Sequence, residues 1–194
     1  MQASDYESLE KHEILKDILP SLYGNFEAQG TIEAQYAKPE VNAQMGNELL
    51  PSETKDAPVV TYHANKPLDL DATYTYAMTD PDAPSRTDNK WGEICHYVAT
   101  GIKFESAKGG VVSDKGHGVM PYVGPGPPKD TGLHRYIFMV FKEPKGKTEF
   151  TEIKNYVQWG YGVQGAGIER WSKENDLELL AINFFFAQNE ENNK

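Results

Sequence analysis

The chain has 194 residues and a formal net charge of −10. That length holds one domain of ordinary size and buries enough surface to fold without a disulfide or metal staple. The acidic balance excludes a generally basic, nucleic-acid-coating surface and a polybasic attachment to acidic membranes. Gly 17 and Pro 12 make up about 15% of the residues, above the usual level of roughly 12%, which predicts a loop-rich, mainly β domain.

The one cysteine, Cys95, forms no intramolecular disulfide, and no apolar run is long enough to span a membrane. The start, MQASDYESLEKHEIL, is acidic and has no apolar stretch of the secretory kind. A reducing, cytoplasmic location is the expectation, with association with a vacuole as a second one.

Residues 1–24 read as a helical segment packed on, or extending from, a domain over 25–188. Ser4 followed by Glu7 fits a capping box, Leu15, Ile18, Leu19 and Leu22 fall at helical spacing, and Pro20 gives a stop. In Thr73–Met78 the alternation puts Tyr74, Tyr76 and Met78 on one face of a strand. A second strand falls within Ile94–Phe104. Tyr136–Phe141 is continuously apolar, which suits a strand buried on both faces, and Leu177–Ala187 reads the same way. The glycines of Trp159–Gly162 require a loop, and a short helix follows near Gly167–Asn175. The polar tail 189–194, NEENNK, is expected to fray. Strands along the chain with helices near its ends predict a β-sandwich with a few peripheral helices.

Three stretches carry candidate chemistry. Asp80–Arg86, DPDAPSR, follows a strand directly, and its prolines force a turn that can hold two carboxylates in place. Read alone, it is first of all an exposed Asx-Pro turn. Gly124–Tyr136, GPGPPKDTGLHRY, is a stiff loop that lets a ligand approach the backbone and delivers His134, Arg135 and Tyr136 where loop becomes sheet. The third piece is His96. An imidazole held by Asp80 or Asp82 can donate to an anion, and the Tyr136 hydroxyl adds a donor, so these residues fit a phosphate. The same histidines read as well as satisfied strand-end residues.

No GxSxG, phosphate-binding loop, HExxH or dinucleotide fingerprint occurs. Cys95 and His96 are strand neighbours pointing to opposite faces, a poor nucleophile–base pair. The chain reads as a non-enzyme, with no cofactor and no metal.

Taken together, in this order and at these separations, DPDAPSR, EICH (Glu93–His96) and GPGPPKDTGLHRY resemble the phosphatidylethanolamine-binding protein family, which includes the Raf-kinase-inhibitor proteins and plant flowering regulators. Further stretches are similar to its fungal branch of carboxypeptidase Y inhibitors: Lys11-His12 with Ile14-Leu15, Met45-Gly46-Asn47, Trp159–Gly162, and Lys173-Glu174-Asn175 with Leu177 before Asn183-Phe184-Phe185. The resemblance implies a β-sandwich with a small anion pocket at one end, for phosphate-like groups and phospholipid head groups. Its wall would be Asp80, Asp82, Pro84, His96, Gly126, Pro127, Pro128, His134 and Tyr136. Pro84 would follow a cis peptide bond, and Arg135 would be structural, paired inward. Animal members supply one further wall from a C-terminal helix; here only a few polar residues follow Ala187.

The resemblance implies inhibition of a serine carboxypeptidase of the carboxypeptidase Y type, with residues near the N-terminus entering the protease cleft. The alternative is a phospho-ligand-binding modulator of signalling, with a Ras-pathway regulator as partner. Because any anion binds against the protein's overall field, weak capture of a single head group is expected, with the stronger contacts left to protein partners.

Overall fold

A computed structural model describes residues 1–193; Lys194 lies outside the described residues. The helices are α1 (Ala3–Lys11), α2 (Ile14–Ile18) and α3 (Ile168–Glu174). The strands are β1 (Gly30–Ala37), β2 (Glu40–Asn42), β3 (Asn47–Glu48), β4 (Val59–Ala64), β5 (Tyr74–Asp80), β6 (Ile94–Ile102), β7 (Gly109–Val111), β8 (His117–Met120), β9 (His134–Lys142) and β10 (Glu178–Ala187). They form a four-stranded sheet, β2-β1-β4-β7, and a six-stranded sheet, β3-β10-β9-β5-β6-β8. The fold is a mainly β sandwich with peripheral helices, as the sequence predicts.

The apolar runs are explained by what covers each face. On one face of the six-stranded sheet, Tyr74, Tyr76, Met78, Phe138, Val140 and Phe185 pack with Ile32, Tyr36, Val60 and Tyr62 of the smaller sheet. On the other face, Ala77, Ile137, Met139, Phe141, Phe184 and Phe186 pack with the helices and the 150–171 region. A strand covered on both sides has no reason to alternate, so β9 is buried from His134 to Phe141. Asn183 sits within this apolar strand with its amide fully used. Its Nδ2 donates to Ile32 O (2.9 Å) and Ala43 O (3.0 Å), and its Oδ1 accepts from Met45 N (2.9 Å) and Phe184 N (2.8 Å).

The N-terminal segment differs in detail from the expectation. Helix α1 begins two residues earlier, capped at Gln2, whose N–H donates to Asp5 Oδ2 (2.9 Å). Ser4 is therefore inside the helix, and the Ser4–Glu7 box does not form. The helical run also breaks at Glu13, in the left-handed region (φ 54°), before α2 starts. The break has a cause: Arg135 Nη1 takes the His12 carbonyl (2.9 Å), withdrawing it from the helical ladder. Leu9, Ile14, Leu15, Ile18 and Leu19 are all buried against the sheet.

The tail also differs from a fraying end. Residues Glu190–Asn193 form a single helical turn. Ser52 N and Oγ donate to the Glu190 carboxylate (3.1 and 2.6 Å), and Asn189 Nδ2 donates to Pro127 O (3.0 Å). Among the described residues no helix is long and apolar enough to cross a membrane.

Candidate functional site

Strand β5 delivers Asp80 at its last position, β9 begins at His134, and the two pair antiparallel. The chain then turns through Pro81–Pro84, with the Ala83–Pro84 peptide cis as the resemblance implied. Asp80 Oδ1 accepts from Asp82 N (2.7 Å), which closes the turn and leaves Oδ2 for the His134 Nδ1 (3.0 Å). Both residues are almost fully buried.

A cavity of about 250 Å³ opens here, lined by Asp80, Ala83, Pro84, Trp91, Ile94, His96, Val123, Gly124, Gly126, Pro128, His134 and Tyr136. Seven of the nine residues expected from the sequence are thus brought together. Asp82 and Pro127 are not among them, and each has a reason. Asp82 turns the other way, accepting from Arg135 N (2.9 Å), Nε (2.8 Å) and Nη2 (2.7 Å). Pro127 is buried toward the tail, its carbonyl held by Asn189. Arg135 is structural, as expected: its Nη1 also donates to Asp17 Oδ2 (2.7 Å).

Ala83, Trp91, Ile94, Val123 and Gly124 complete the wall and were not singled out for it. Gly124 lies within the quoted motif. A Cβ there would stand 3.0 Å from Lys55 O, so the glycine lets this loop press on the 54–55 backbone. Trp91 has an accessible ring at the cavity mouth, a signal that an exposed aromatic can give.

Hydrogen-bond counting assigns the protons. Val123 N donates to His96 O (2.9 Å), and His96 Nδ1 contacts Val123 O at 2.5 Å. A carbonyl only accepts, so Nδ1 carries the hydrogen and Nε2 is the ring atom left for the cavity. Burial pushes the His96 pKa down, favouring the neutral ring. Thr131 Oγ1 donates to Pro128 O (2.7 Å) and contacts His134 Nε2 (2.9 Å). With Nδ1 on a carboxylate, His134 has both nitrogens engaged inside the protein. Tyr136 lies stacked on His134 (interplanar 9°) and edge-on to His96 (83°). Burial first, then the charges of Asp80 and Asp82, holds its phenol well above the usual value and therefore protonated.

The walls between these polar atoms are apolar, and none of the lining residues is Lys or Arg. Such a cavity suits a small, singly charged, hydrogen-bonding group. Cys95 faces the opposite side, in the helix-covered core, and burial pushes its thiol far up, so it is no nucleophile for this site. Among the described residues no group of three or more His, Cys, Asp or Glu is placed to hold a metal ion.

A family model described as phosphatidylethanolamine-binding protein matches residues 24–185. The carboxypeptidase Y inhibitor of Saccharomyces cerevisiae is 35% identical, covering 94% of this chain and 94% of its own. Protein YLR179C of the same yeast, which carries no ascribed activity, is 39% identical, covering 97% and 96%. The crystal structure of a carboxypeptidase Y inhibitor complexed with the cognate proteinase has a TM-score of 0.89 and 34% identity over 96% of each chain. The match over residues 24–185 takes in the whole candidate cavity: the chain belongs to the phosphatidylethanolamine-binding protein family.

Proposed function

We propose that this chain is a non-enzymatic inhibitor of a serine carboxypeptidase of the carboxypeptidase Y type, carrying a small anion cavity as a second binding site. The observation that carries the inhibitor reading is the similarity to the inhibitor in its proteinase complex, with a TM-score of 0.89 over 96% of each chain. The cavity reading is supported by His96, His134 and Tyr136 converging on one apolar-walled pocket. We place the protein in the cytoplasm, with vacuolar association as the setting in which it would meet a protease.

The test is an inhibition assay with purified carboxypeptidase Y. Full-length protein is compared with a variant lacking residues 1–4, which precede the buried part of the N-terminal segment. Inhibition that weakens on trimming places the N-terminus in the protease cleft. Undiminished inhibition removes it from the mechanism, and no inhibition by the intact protein removes the function.

A second reading rests on the cavity alone, where His96, His134 and Tyr136 converge. A phospho-ligand-binding modulator of signalling, with a Ras-pathway regulator as partner, fits a family member without protease inhibition. It predicts anion binding in calorimetry together with a null result in the inhibition assay.

A further inference from the structure

A cleft of about 310 Å³ lies beside α1, walled by Tyr6, Leu9, Leu15, Tyr23 and Phe26, with Glu10 as its charged residue. It shares no residue with the cavity at the ends of β5 and β9. We propose that this cleft binds a small quaternary ammonium ion, with Tyr6, Tyr23 and Phe26 as an aromatic cage and Glu10 as the counter-charge. The inference goes beyond the inhibitor and anion-cavity readings and depends on neither.

Local structure builds the cleft. Tyr6 and Glu10 are one helical turn apart and so share a face of α1. After α2 the chain turns at Pro20 and again at Gly24 (φ 79°), then returns to the helix. Ala28 N fixes the return by donating to the Tyr6 hydroxyl (2.9 Å). The Tyr6 and Phe26 rings stand 6.5 Å apart with planes tilted by 54°, a corner rather than a stack. Leu9 and Leu15 are buried, whereas Tyr23 is 48% exposed, so the cleft opens to solvent beside that ring. A Cβ at Gly24 would meet nothing within 4 Å, so the turn leaves room there.

The wall chemistry selects the ligand. Glu10 is the only charged lining residue, and among the described residues no basic side chain forms an ion pair with it. Lys16, in the same segment, is engaged by Glu13 (3.1 Å). Aromatic rings beside one unneutralised carboxylate repel anions and attract cations. The net charge of −10 acts in the same direction. A metal ion or a primary ammonium needs several acceptors to replace its water, and this wall offers one carboxylate. A quaternary ammonium needs none, and its methyl groups suit Leu9 and Leu15. A phosphate attached to it would meet Glu10 and the neighbouring Asp5 and Glu7, so the free ion is favoured over a phospholipid head group.

The test is an NMR titration of the isotope-labelled, intact protein at pH 7 with choline and with dimethylbutanol, its uncharged carbon analogue of the same shape. Choline is expected to bind with a Kd on the order of 1 mM, about tenfold tighter than the alcohol, and to shift the amides of Tyr6, Glu10 and Gly24 first. Glu10→Gln and Tyr23→Leu, both at exposed positions, should each weaken binding about two- to fivefold while leaving the rest of the spectrum folded. Dihexanoylphosphatidylcholine separates the sources: weaker binding than choline supports the free ion, and tighter binding overturns that choice. Equal affinity for the alcohol, shifts confined to the ends of β5 and β9, or unchanged affinity in both variants overturns the inference. Carboxypeptidase inhibition and phosphate binding are read in separate assays, so their failure and this one are distinguishable.

Discussion

Asp82 and Arg135 form a forked, buried ion pair, with Nε to Oδ2 at 2.8 Å and Nη2 to Oδ1 at 2.7 Å. The guanidinium is buried but not isolated, because Asp82 and Asp17 together more than offset its desolvation and hold it firmly charged. Removing one partner of such a pair leaves an uncompensated buried charge. Asp82→Ala should therefore cost about 3–5 kcal/mol in urea denaturation, whereas Asp17→Ala, at the more exposed end, should cost about 1 kcal/mol or less. Equal costs for the two would mean that Arg135 is held mainly by the N-terminal segment.

Glu93 gives the fold an unusual pH dependence. Its Oε1 accepts from Thr79 Oγ1 (2.9 Å) and from Ile168 N at the start of α3 (3.1 Å). Burial nevertheless raises its pKa from the usual 4.5 to about 8. Between those values the folded state holds a proton that the unfolded chain has lost, so this group's contribution is greatest below the lower value and declines as pH rises toward 8. The slope approaches 1.4 kcal/mol per pH unit in mid-window, about the most one group can supply. Glu93→Gln, which mimics the protonated acid, should flatten the curve and be more stable than wild type at pH 8. Denaturation midpoints at pH 5, 6.5 and 8 check this; parallel curves for the two proteins would refute it.

Trp91 offers a direct reporter of the cavity. It is 48% exposed and lines the mouth, while Trp159 and Trp171 are buried elsewhere. Binding of O-phosphorylethanolamine should change tryptophan emission. Trp91→Phe should abolish that change while keeping calorimetric affinity within about threefold. A change that persists in Trp91→Phe would put the ligand elsewhere.

The N-terminal segment is predicted to be part of the core. Ile18 is wholly buried against the helix-covered face of the larger sheet. Ile18→Ala should cost about 2–5 kcal/mol by opening a cavity under α2. Deleting residues 1–20 would strip five buried side chains and should leave a protein that unfolds far below the wild-type denaturant midpoint. A loss under about 0.5 kcal/mol for Ile18→Ala would mean that the segment docks only loosely.

Sequence reading was most successful where burial was complete. Tyr136–Phe141 and Leu177–Ala187 carry enough consecutive apolar residues to declare β9 and β10. The smaller sheet escaped it. In β1 the burial alternates regularly, but Gly30, Ala34 and Ala37 dilute the contrast with Glu33 and Gln35 until the period is hard to see. At the site, the motif residues supplied the polar atoms, while the opposite wall, Trp91, Ile94 and Val123, has no polar signature. Asp82 lies two residues past Asp80, a spacing that shares a face only in a strand, and it faces Arg135 instead of the cavity. The turn had already begun, and Asp82 N points back to Asp80 Oδ1. The break at Glu13 could not be foreseen either, since its cause, Arg135, is more than a hundred residues away.

His134 and Arg135 are adjacent at the start of β9 and, as strand neighbours, point to opposite faces. One lines the cavity beside Asp80; the other clamps the carbonyl of His12 and the carboxylate of Asp17. Two surfaces of the molecule therefore stand on a common footing one residue wide. A force that lifts the N-terminal segment pulls on the same stretch of backbone that carries His134 into the cavity wall.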